Sequence, residues 1–138
     1  MKTAFFWPVR VYYEDTDSGG VVYYANYLKF FERARTERLR ALGFEQDEIR
    51  AACGVIFAVR SAQVDYLRPA RFNDALVVSA EVAELKRASL AFTQEIRRGG
   101  PDGELLCKAA IRVVCLSADA FRPVAIPGFL LERINDVL

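Results

Sequence analysis

Residues 12–42 read YYEDTDSGGVVYYANYLKFFERARTERLRAL, and the rest of the chain is organised around this stretch. Three acids, Glu14, Asp15 and Asp17, follow an apolar run and come before a Gly-Gly pair and a long helical pattern. This order predicts a strand that delivers carboxylates into a tight loop at the N-terminus of a helix. Such a terminus carries unpaired N–H groups and the positive end of the helix dipole, which attract an anion or a polarised carbonyl oxygen.

The acid loop has two interpretations from the residues alone. A carboxylate beside a helix end that polarises a carbonyl group suits acyl transfer. Alternatively, the acids only cap the helix and complete a turn. Gly19 and Gly20 allow backbone angles that are closed to other residues, and they let a ligand approach the chain closely.

The helical pattern that follows the loop is amphipathic. Its broad apolar face holds Tyr27, Leu28, Phe31, Ala34 and Leu42. We expect Asn26 to cap this helix and Gly43 to end it, because glycine readily takes the left-handed conformation after a last helical turn. Arg35 and Arg38 fall on or beside the apolar face, and we expect their stems to lie along it while their heads reach solvent or a carboxylate.

A strand-like period of two dominates the second half of the chain. Its four runs are Val55–Leu67, Ala75–Leu85, Leu90–Ile96 and Glu104–Ser117. Short turns join the runs, which favours an antiparallel meander. With an edge strand around Pro8, the sequence predicts an α+β fold in which about five antiparallel strands wrap one long central helix. Shorter helices are expected at Phe44–Cys53 and Phe129–Leu138. From the length of the chain, we expect residues 1–138 to form one domain.

The composition narrows the chemistry. The net charge of +1 supplies no large field for nucleic acid, and no apolar run approaches the ~20 residues of a membrane span. The apolar run at the N-terminus is too short for a secretory signal, so we expect a cytoplasmic protein. The chain contains no histidine, which removes a Ser-His-Asp triad, a histidine base and a histidine-ligated metal. Cys53, Cys107 and Cys115 lack metal-type spacing, so we expect no metal, and we expect no cofactor. Cys107 and Cys115 fall at an even separation in one strand-like run, where a free thiol behaves as a small core residue.

The run DTDSGGVVYYANYLKFFERARTE, together with VDYLRPARFND and LKRASLAFTQEI, resembles the hotdog-fold acyl-CoA thioesterases. It is similar to the YbgC type, which is associated with the Tol-Pal locus, and more distantly to 4-hydroxybenzoyl-CoA thioesterase. The resemblance covers nearly the whole chain and favours the functional interpretation of the acid loop. It implies dimers that pair their sheets edge to edge, many of them assembled into tetramers, with active sites at the dimer interface.

The resemblance also implies the reacting groups. The family's catalytic aspartate matches Asp17, which acts either as a nucleophile that forms a mixed anhydride or as a general base that activates water. The backbone N–H that polarises the thioester carbonyl matches Tyr24. YbgC-type relatives usually carry a histidine at this position, whereas a phenol ionises only near pH ~10 and is a poor base at neutral pH. Either the Tyr24 side chain only orders the substrate, or the backbone N–H of Tyr24 is the group that matters for the reaction.

Coenzyme A carries phosphates, so its site should present basic groups. Lys86, Arg87 and Ser89 match the turn that holds the nucleotide phosphates in the 4-hydroxybenzoyl-CoA relatives, although a solvated hairpin turn explains them equally well. Arg68 and Arg71 are weaker candidates for the same task. Glu32 matches an acid that binds the substrate phenol in that branch, and an ion pair with Arg35 is its alternative.

Three functions therefore follow. The first is hydrolysis of acyl-CoA, or of an acyl carrier protein thioester, by a homo-oligomer that is a dimer or a dimer of dimers. The second is a hotdog-fold dehydratase or hydratase, which the absence of histidine disfavours. The third is a non-catalytic subunit that binds acyl thioesters or serves as a scaffold for the envelope or phospholipid machinery. Turnover and its loss in Asp17→Asn separate the first function from the others.

Overall fold

A computed structural model describes residues 4–138 of the chain. Its strands are β1 (Phe6–Arg10), β2 (Val55–Tyr66), β3 (Ala75–Ser79), β4 (Glu81–Leu85), β5 (Ser89–Arg98) and β6 (Leu105–Ser117). Its helices are α1 (Asn26–Ala41), α2 (Gln46–Cys53) and α3 (Gly128–Asn135). A short 3₁₀ turn covers Tyr13–Asp15. Within the described part, no helix is long and apolar enough to cross a membrane.

All strand pairs are antiparallel, and they form one sheet in the order β1-β3-β5-β6-β2. β4 pairs with β5 beyond the end of β3, so β3 and β4 lie one after the other along the same neighbour. The run predicted as Ala75–Leu85 is therefore broken at Ala80. The expected edge position of Pro8 is confirmed, because β1 pairs only with β3 among the described strands.

The simple meander predicted for the four later runs is wrong in one respect. β2 pairs with β6, the last strand, and not with β3, which follows it in the chain. The connection from β2 to β3, residues 67–74, does not by itself specify which strand pairs with β2. This placement leaves β2 at the outer edge of the sheet.

Helix α1 packs against the sheet from one edge to the other. It contacts β1 and β3 on one side, and it shares a pocket with β2 and β6 on the other. The buried residues of α1 are Tyr27, Phe30, Phe31 and Ala34. Leu28, predicted on the buried face, is exposed, whereas Phe30 is buried in its place. A central helix wrapped by one antiparallel sheet is the hotdog arrangement, as predicted.

The helix ends follow the sequence closely. Gly43 and Gly54 take positive φ angles of 97° and 67° after α1 and α2, the conformation in which glycine avoids the steric cost of a side chain. Cys107 and Cys115 are free thiols in the core, as expected for small apolar residues. Burial raises the pKa of Cys107 to about 12, so this thiol stays protonated at neutral pH.

Candidate active site

The acid loop is a tight turn closed by backbone hydrogen bonds. The Asp17 N–H donates to the Val21 carbonyl at 2.9 Å, and the Gly20 N–H donates to the Asp17 carbonyl at 3.1 Å. Thr16 and Val22 form the antiparallel bridge at its base. Gly20 has a φ of 80°, which only glycine adopts without strain. The predicted loop before α1 is thus confirmed, and Asp17 lies at its start.

The two aspartates of the loop have different surroundings. Asp15 accepts the Tyr12 N–H at 2.8 Å through Oδ2, so its carboxylate is part of the turn. Asp17 is exposed and accepts the Gly19 N–H at 2.8 Å through Oδ1 alone. Among residues 4–138, no donor contacts its second oxygen. Each carboxylate therefore accepts one backbone N–H of the loop through one oxygen, and the two differ in exposure, since Asp15 is half-buried and Asp17 is exposed.

The carbonyl of Asp15 joins this loop to the start of α1. It accepts the backbone N–H of Tyr23 and the side-chain Nδ2 of Asn26, both at 2.9 Å. Asn26 is therefore the first residue of the helix, and the prediction that it caps the helix is wrong. Its amide instead fixes the distance between the acid loop and the first turn.

Tyr24 precedes the helix by two residues, and its side chain is 62% exposed. Within the described residues its backbone N–H donates to no acceptor, because the first intrahelical bonds begin with Asn26, Tyr27 and Leu28. The chain thus presents an unpaired N–H next to the loop that carries Asp17. The resemblance implied these two groups for the site, and their catalytic roles stay a prediction.

Tyr66, at the end of β2, contacts the same region. Its hydroxyl donates to the Tyr24 carbonyl at 3.1 Å, and the two rings meet edge to face at 6.2 Å. The contact joins residues 42 positions apart, so no local pattern could have revealed it.

The basic turn between β4 and β5 is exposed. Lys86 lies 3.1 Å from Glu84, and its N–H donates to the Ser89 carbonyl at 2.8 Å. Ser89 accepts a hydrogen bond from Arg112 at 3.3 Å through its hydroxyl. No carboxylate of the described chain pairs with Arg87. The turn is therefore a hairpin connection that presents two cations to solvent. Both interpretations from the sequence, a turn that binds nucleotide phosphates and a solvated hairpin turn, stay open.

The basic turn and the acid loop lie at opposite ends of β5. Ser89 is the first residue of that strand and Arg98 is the last. Arg98 lies beside the end of the β1–β3 pair from which the acid loop departs. Nine residue steps at about 3.3 Å each separate Ser89 from Arg98 by about 30 Å. One copy of the chain does not bring the two groups together.

Arg68 and Arg71 lie closer to the acid loop than the basic turn does. Arg68 is 3.3 Å from Glu104 in an exposed ion pair. Arg71 stands opposite Val21, the residue that closes the loop, and no carboxylate of residues 4–138 pairs with its side chain. Of the two, Arg71 is therefore better placed to contact a substrate at Asp17.

Glu32 lies beside a pocket of about 300 Å³ between α1, α3 and the sheet. The apolar walls of this pocket include Leu39, Phe57, Val59, Phe92, Val113 and Ile134. The ion pair suggested between Glu32 and Arg35 is absent from the described residues, because Arg35 donates to the Gln94 side chain at 3.0 Å instead. Burial lowers the pKa of Arg35, and the nearby Glu32 carboxylate opposes that shift.

A carboxylate loop at the start of a central helix, wrapped by one antiparallel sheet, defines a hotdog-fold enzyme of the thioesterase class. The model of the thioesterase superfamily matches residues 19–104, and the chain belongs to this family. The acyl-CoA thioester hydrolase YbgC of Escherichia coli is 47% identical over 133 residues, which are 96% of this chain and 97% of that protein. The acyl-CoA thioesterase YbgC of Haemophilus influenzae is 45% identical, over 92% of this chain and 91% of its own length.

Solved structures agree with this assignment. A probable thioesterase from Bartonella henselae is 30% identical, covers 91% of this chain and all of its own, and superimposes with a TM-score of 0.84. The hypothetical protein TT1821 from Thermus thermophilus is 28% identical, covers 97% of this chain and 99% of its own, and has a TM-score of 0.89. The resemblance inferred from the sequence is therefore confirmed, and the chain is a thioester hydrolase.

Proposed function

We propose that this protein hydrolyses acyl-CoA to a free acid and coenzyme A, with Asp17 as the catalytic carboxylate. The single observation that carries the proposal is the geometry of the acid loop, where Asp17 keeps one carboxylate oxygen available beside the start of α1. The names of the relatives from Escherichia coli and Haemophilus influenzae support acyl-CoA as the substrate. An acyl carrier protein thioester would present the same reacting group.

In the proposed reaction the thioester oxygen accepts the Tyr24 N–H, which polarises the carbonyl carbon. Asp17 then either attacks this carbon, releasing the thiolate of coenzyme A and leaving an anhydride that water hydrolyses, or removes a proton from water that attacks directly. Both routes place negative charge on the thioester oxygen. A donor fixed in advance at that position stabilises the charge, and such a donor contributes about a hundredfold in rate.

We propose that a second copy of the chain completes the coenzyme A site. In one copy, about 30 Å separates the basic turn from the acid loop, so Lys86, Arg87 and Ser89 would hold the nucleotide phosphates of a substrate whose thioester lies at the other copy's Asp17. The outer edge of β2, which none of the described strands covers, offers the surface for a dimer. Two such dimers would form the tetramer that the sequence resemblance implies.

Three further assignments belong to the same proposal. Residues 1–138 act as one thioesterase domain, and the protein works in the cytoplasm, where coenzyme A thioesters are available. The three cysteines support a reducing compartment, because Cys53 is exposed as a free thiol and none of the three forms a disulfide within the described chain. Glu32 would contact the far end of the acyl group through the pocket beside it.

The test is release of free thiol from a panel of acyl-CoAs, from acetyl to palmitoyl and including 4-hydroxybenzoyl. Wild type, Asp17→Asn and Asp119→Asn are compared. Asp119 is exposed in the turn after β6, so its variant removes the same charge away from the loop. We expect turnover in wild type and Asp119→Asn and a loss of at least about a hundredfold in Asp17→Asn.

Full activity in Asp17→Asn would refute the mechanism. Tight acyl-CoA binding by wild type without turnover of any thioester would instead support the non-catalytic binding subunit.

A further inference from the structure

Two of the three backbone hydrogen bonds at the start of α1 are long. The Asn26 N–H donates to the Tyr23 carbonyl at 2.8 Å, but the Tyr27 N–H reaches the Tyr24 carbonyl at 3.4 Å and the Leu28 N–H reaches the Ala25 carbonyl at 3.3 Å. The two longer distances exceed the 2.9–3.0 Å that is usual for such bonds. The Tyr24 carbonyl is therefore weakly bonded within the helix, so contacts from outside the helix help to hold this turn.

Tyr66 supplies one of those contacts, and the Asp15 carbonyl, which accepts Asn26 Nδ2 at 2.9 Å, supplies another. The Tyr66 hydroxyl donates to the Tyr24 carbonyl at 3.1 Å, a shorter distance than the 3.4 Å bond that the same carbonyl accepts from Tyr27. The Tyr66 ring also meets the Tyr27 ring edge to face at 5.3 Å, so the phenol is held on both sides. Tyr66 ends β2, and β2 is paired with β6 along its whole length, which gives the phenol a rigid base.

Tyr27 extends the same arrangement into the core. Its hydroxyl accepts the Ala70 N–H at 3.0 Å, and its side chain is buried. Tyr27 therefore holds the helix to the segment after β2, while the Tyr66 hydroxyl bonds the Tyr24 carbonyl one turn earlier. Partial burial raises the pKa of Tyr66, so its hydroxyl keeps the proton that it donates at neutral and mildly alkaline pH.

We propose that Tyr66 is a positioning residue, whose hydroxyl holds the first turn of α1 so that the Tyr24 N–H meets the thioester oxygen. This inference rests on the proposed function, because it assigns Tyr66 to the same reaction. The hydroxyl contacts neither Asp17 nor the thioester. It bonds the Tyr24 carbonyl, whereas the Tyr24 N–H belongs to the preceding peptide group, so it acts on that N–H only by holding the turn.

The first test compares steady-state kinetics of wild type, Tyr66→Phe and Tyr13→Phe on the best acyl-CoA. Tyr13 is an exposed tyrosine whose ring stacks on Phe72, so Tyr13→Phe removes one phenol hydroxyl and keeps the stacked ring. We expect kcat to fall about three- to tenfold in Tyr66→Phe, the rate equivalent of one net hydrogen bond. KM should stay within about twofold, and Tyr13→Phe should match wild type.

This separation of kcat from KM distinguishes positioning from a merely structural role. A variant that only loosened the fold would lower the melting temperature and reduce the amount of active protein. We expect Tyr66→Phe to melt within about 2 °C of wild type, because the ring and its packing remain. A kcat equal to that of wild type would overturn the inference.

The second test needs no turnover and measures amide hydrogen exchange by NMR. In Tyr66→Phe we expect several-fold faster exchange at Asn26, Tyr27 and Leu28, with no change at Phe31 or Ala34 in the middle of α1. Unchanged exchange in the first turn would overturn the inference whatever the kinetics show. If wild type hydrolysed no thioester, the proposed function would fail, and the exchange rates alone would decide whether Tyr66 holds the turn.

Discussion

The buried side chain of Gln94 donates to the backbone carbonyl of Phe31 at 3.0 Å, which bonds the middle of the sheet to the middle of the central helix. The same amide donates to the Ser79 carbonyl at 3.1 Å, where β3 ends and the strand breaks before β4. Its oxygen accepts from Arg35 at 3.0 Å. One side chain, 1% exposed, therefore joins α1, β5 and the break between β3 and β4.

We predict that Gln94→Leu lowers the free energy of unfolding by about 3 kcal/mol, because it leaves the buried Ser79 carbonyl and the half-buried Arg35 guanidinium without their partner. Urea denaturation followed by circular dichroism would measure the change. Thr93→Val is the matched control, since Thr93 is the exposed neighbour on the same strand. A loss below about 0.5 kcal/mol would show that the network contributes little.

We predict that Gly19→Ala lowers kcat about tenfold. A Cβ atom at position 19 would lie 3.2 Å from Oδ1 of Asp17, so the carboxylate must shift from the position in which it accepts the Gly19 N–H. A displaced reacting group lowers the reaction rate far more than it lowers the stability of the fold. Thiol-release kinetics would measure the effect, with the melting temperature as a check on folding.

Gly100→Ala is the control for this loop variant, because a Cβ atom at position 100 meets nothing within 4 Å. We expect its kcat to equal that of wild type. If Gly19→Ala also kept the full kcat, the position of the Asp17 carboxylate would not limit the reaction.

We predict that the double variant Lys86→Gln/Arg87→Gln raises KM for acyl-CoA about tenfold and leaves kcat within about twofold, because it removes two cations that would face the nucleotide phosphates. An N-acetylcysteamine thioester of the same acid lacks those phosphates, so its kcat/KM should not change. Steady-state kinetics with both substrates would measure the difference.

The matched control is Lys29→Gln/Arg50→Gln, which removes the same net charge from exposed positions on α1 and α2. An equal rise of KM in both double variants would attribute the effect to overall charge and not to the basic turn. An unchanged KM in the first variant would show that the turn is only a solvated hairpin.

The elements that could be predicted from the sequence are those that nearby residues specify. The ends of α1 and α2 follow from Gly43 and Gly54, and the acid loop follows from its glycines and its position before the helical pattern. The buried thiols of β6 follow from their even spacing. Each of these depends on residues within one or two turns of each other, where backbone sterics act directly.

The errors fall where distant segments meet. Leu28 was placed on the buried face because the helical wheel alone does not reveal which side the sheet covers. Asn26 was expected to cap α1, but its amide bonds the Asp15 carbonyl across the loop. The ion pair of Glu32 with Arg35 was expected from their spacing, but the buried Gln94 provides the acceptor for Arg35.

The sequence by itself determined the class of enzyme, through the resemblance of its acid loop and helical pattern to the hotdog-fold acyl-CoA thioesterases, and the family comparison confirms that class. The residues without that resemblance left acyl transfer and helix capping both open. Tertiary structure alone decided that β2 pairs with β6, that Tyr66 bonds Tyr24, and that the basic turn and the acid loop lie at opposite ends of β5, a strand about 30 Å long. The physical reason is that these features depend on strand pairing and packing between segments far apart in the chain, which local backbone preferences do not specify.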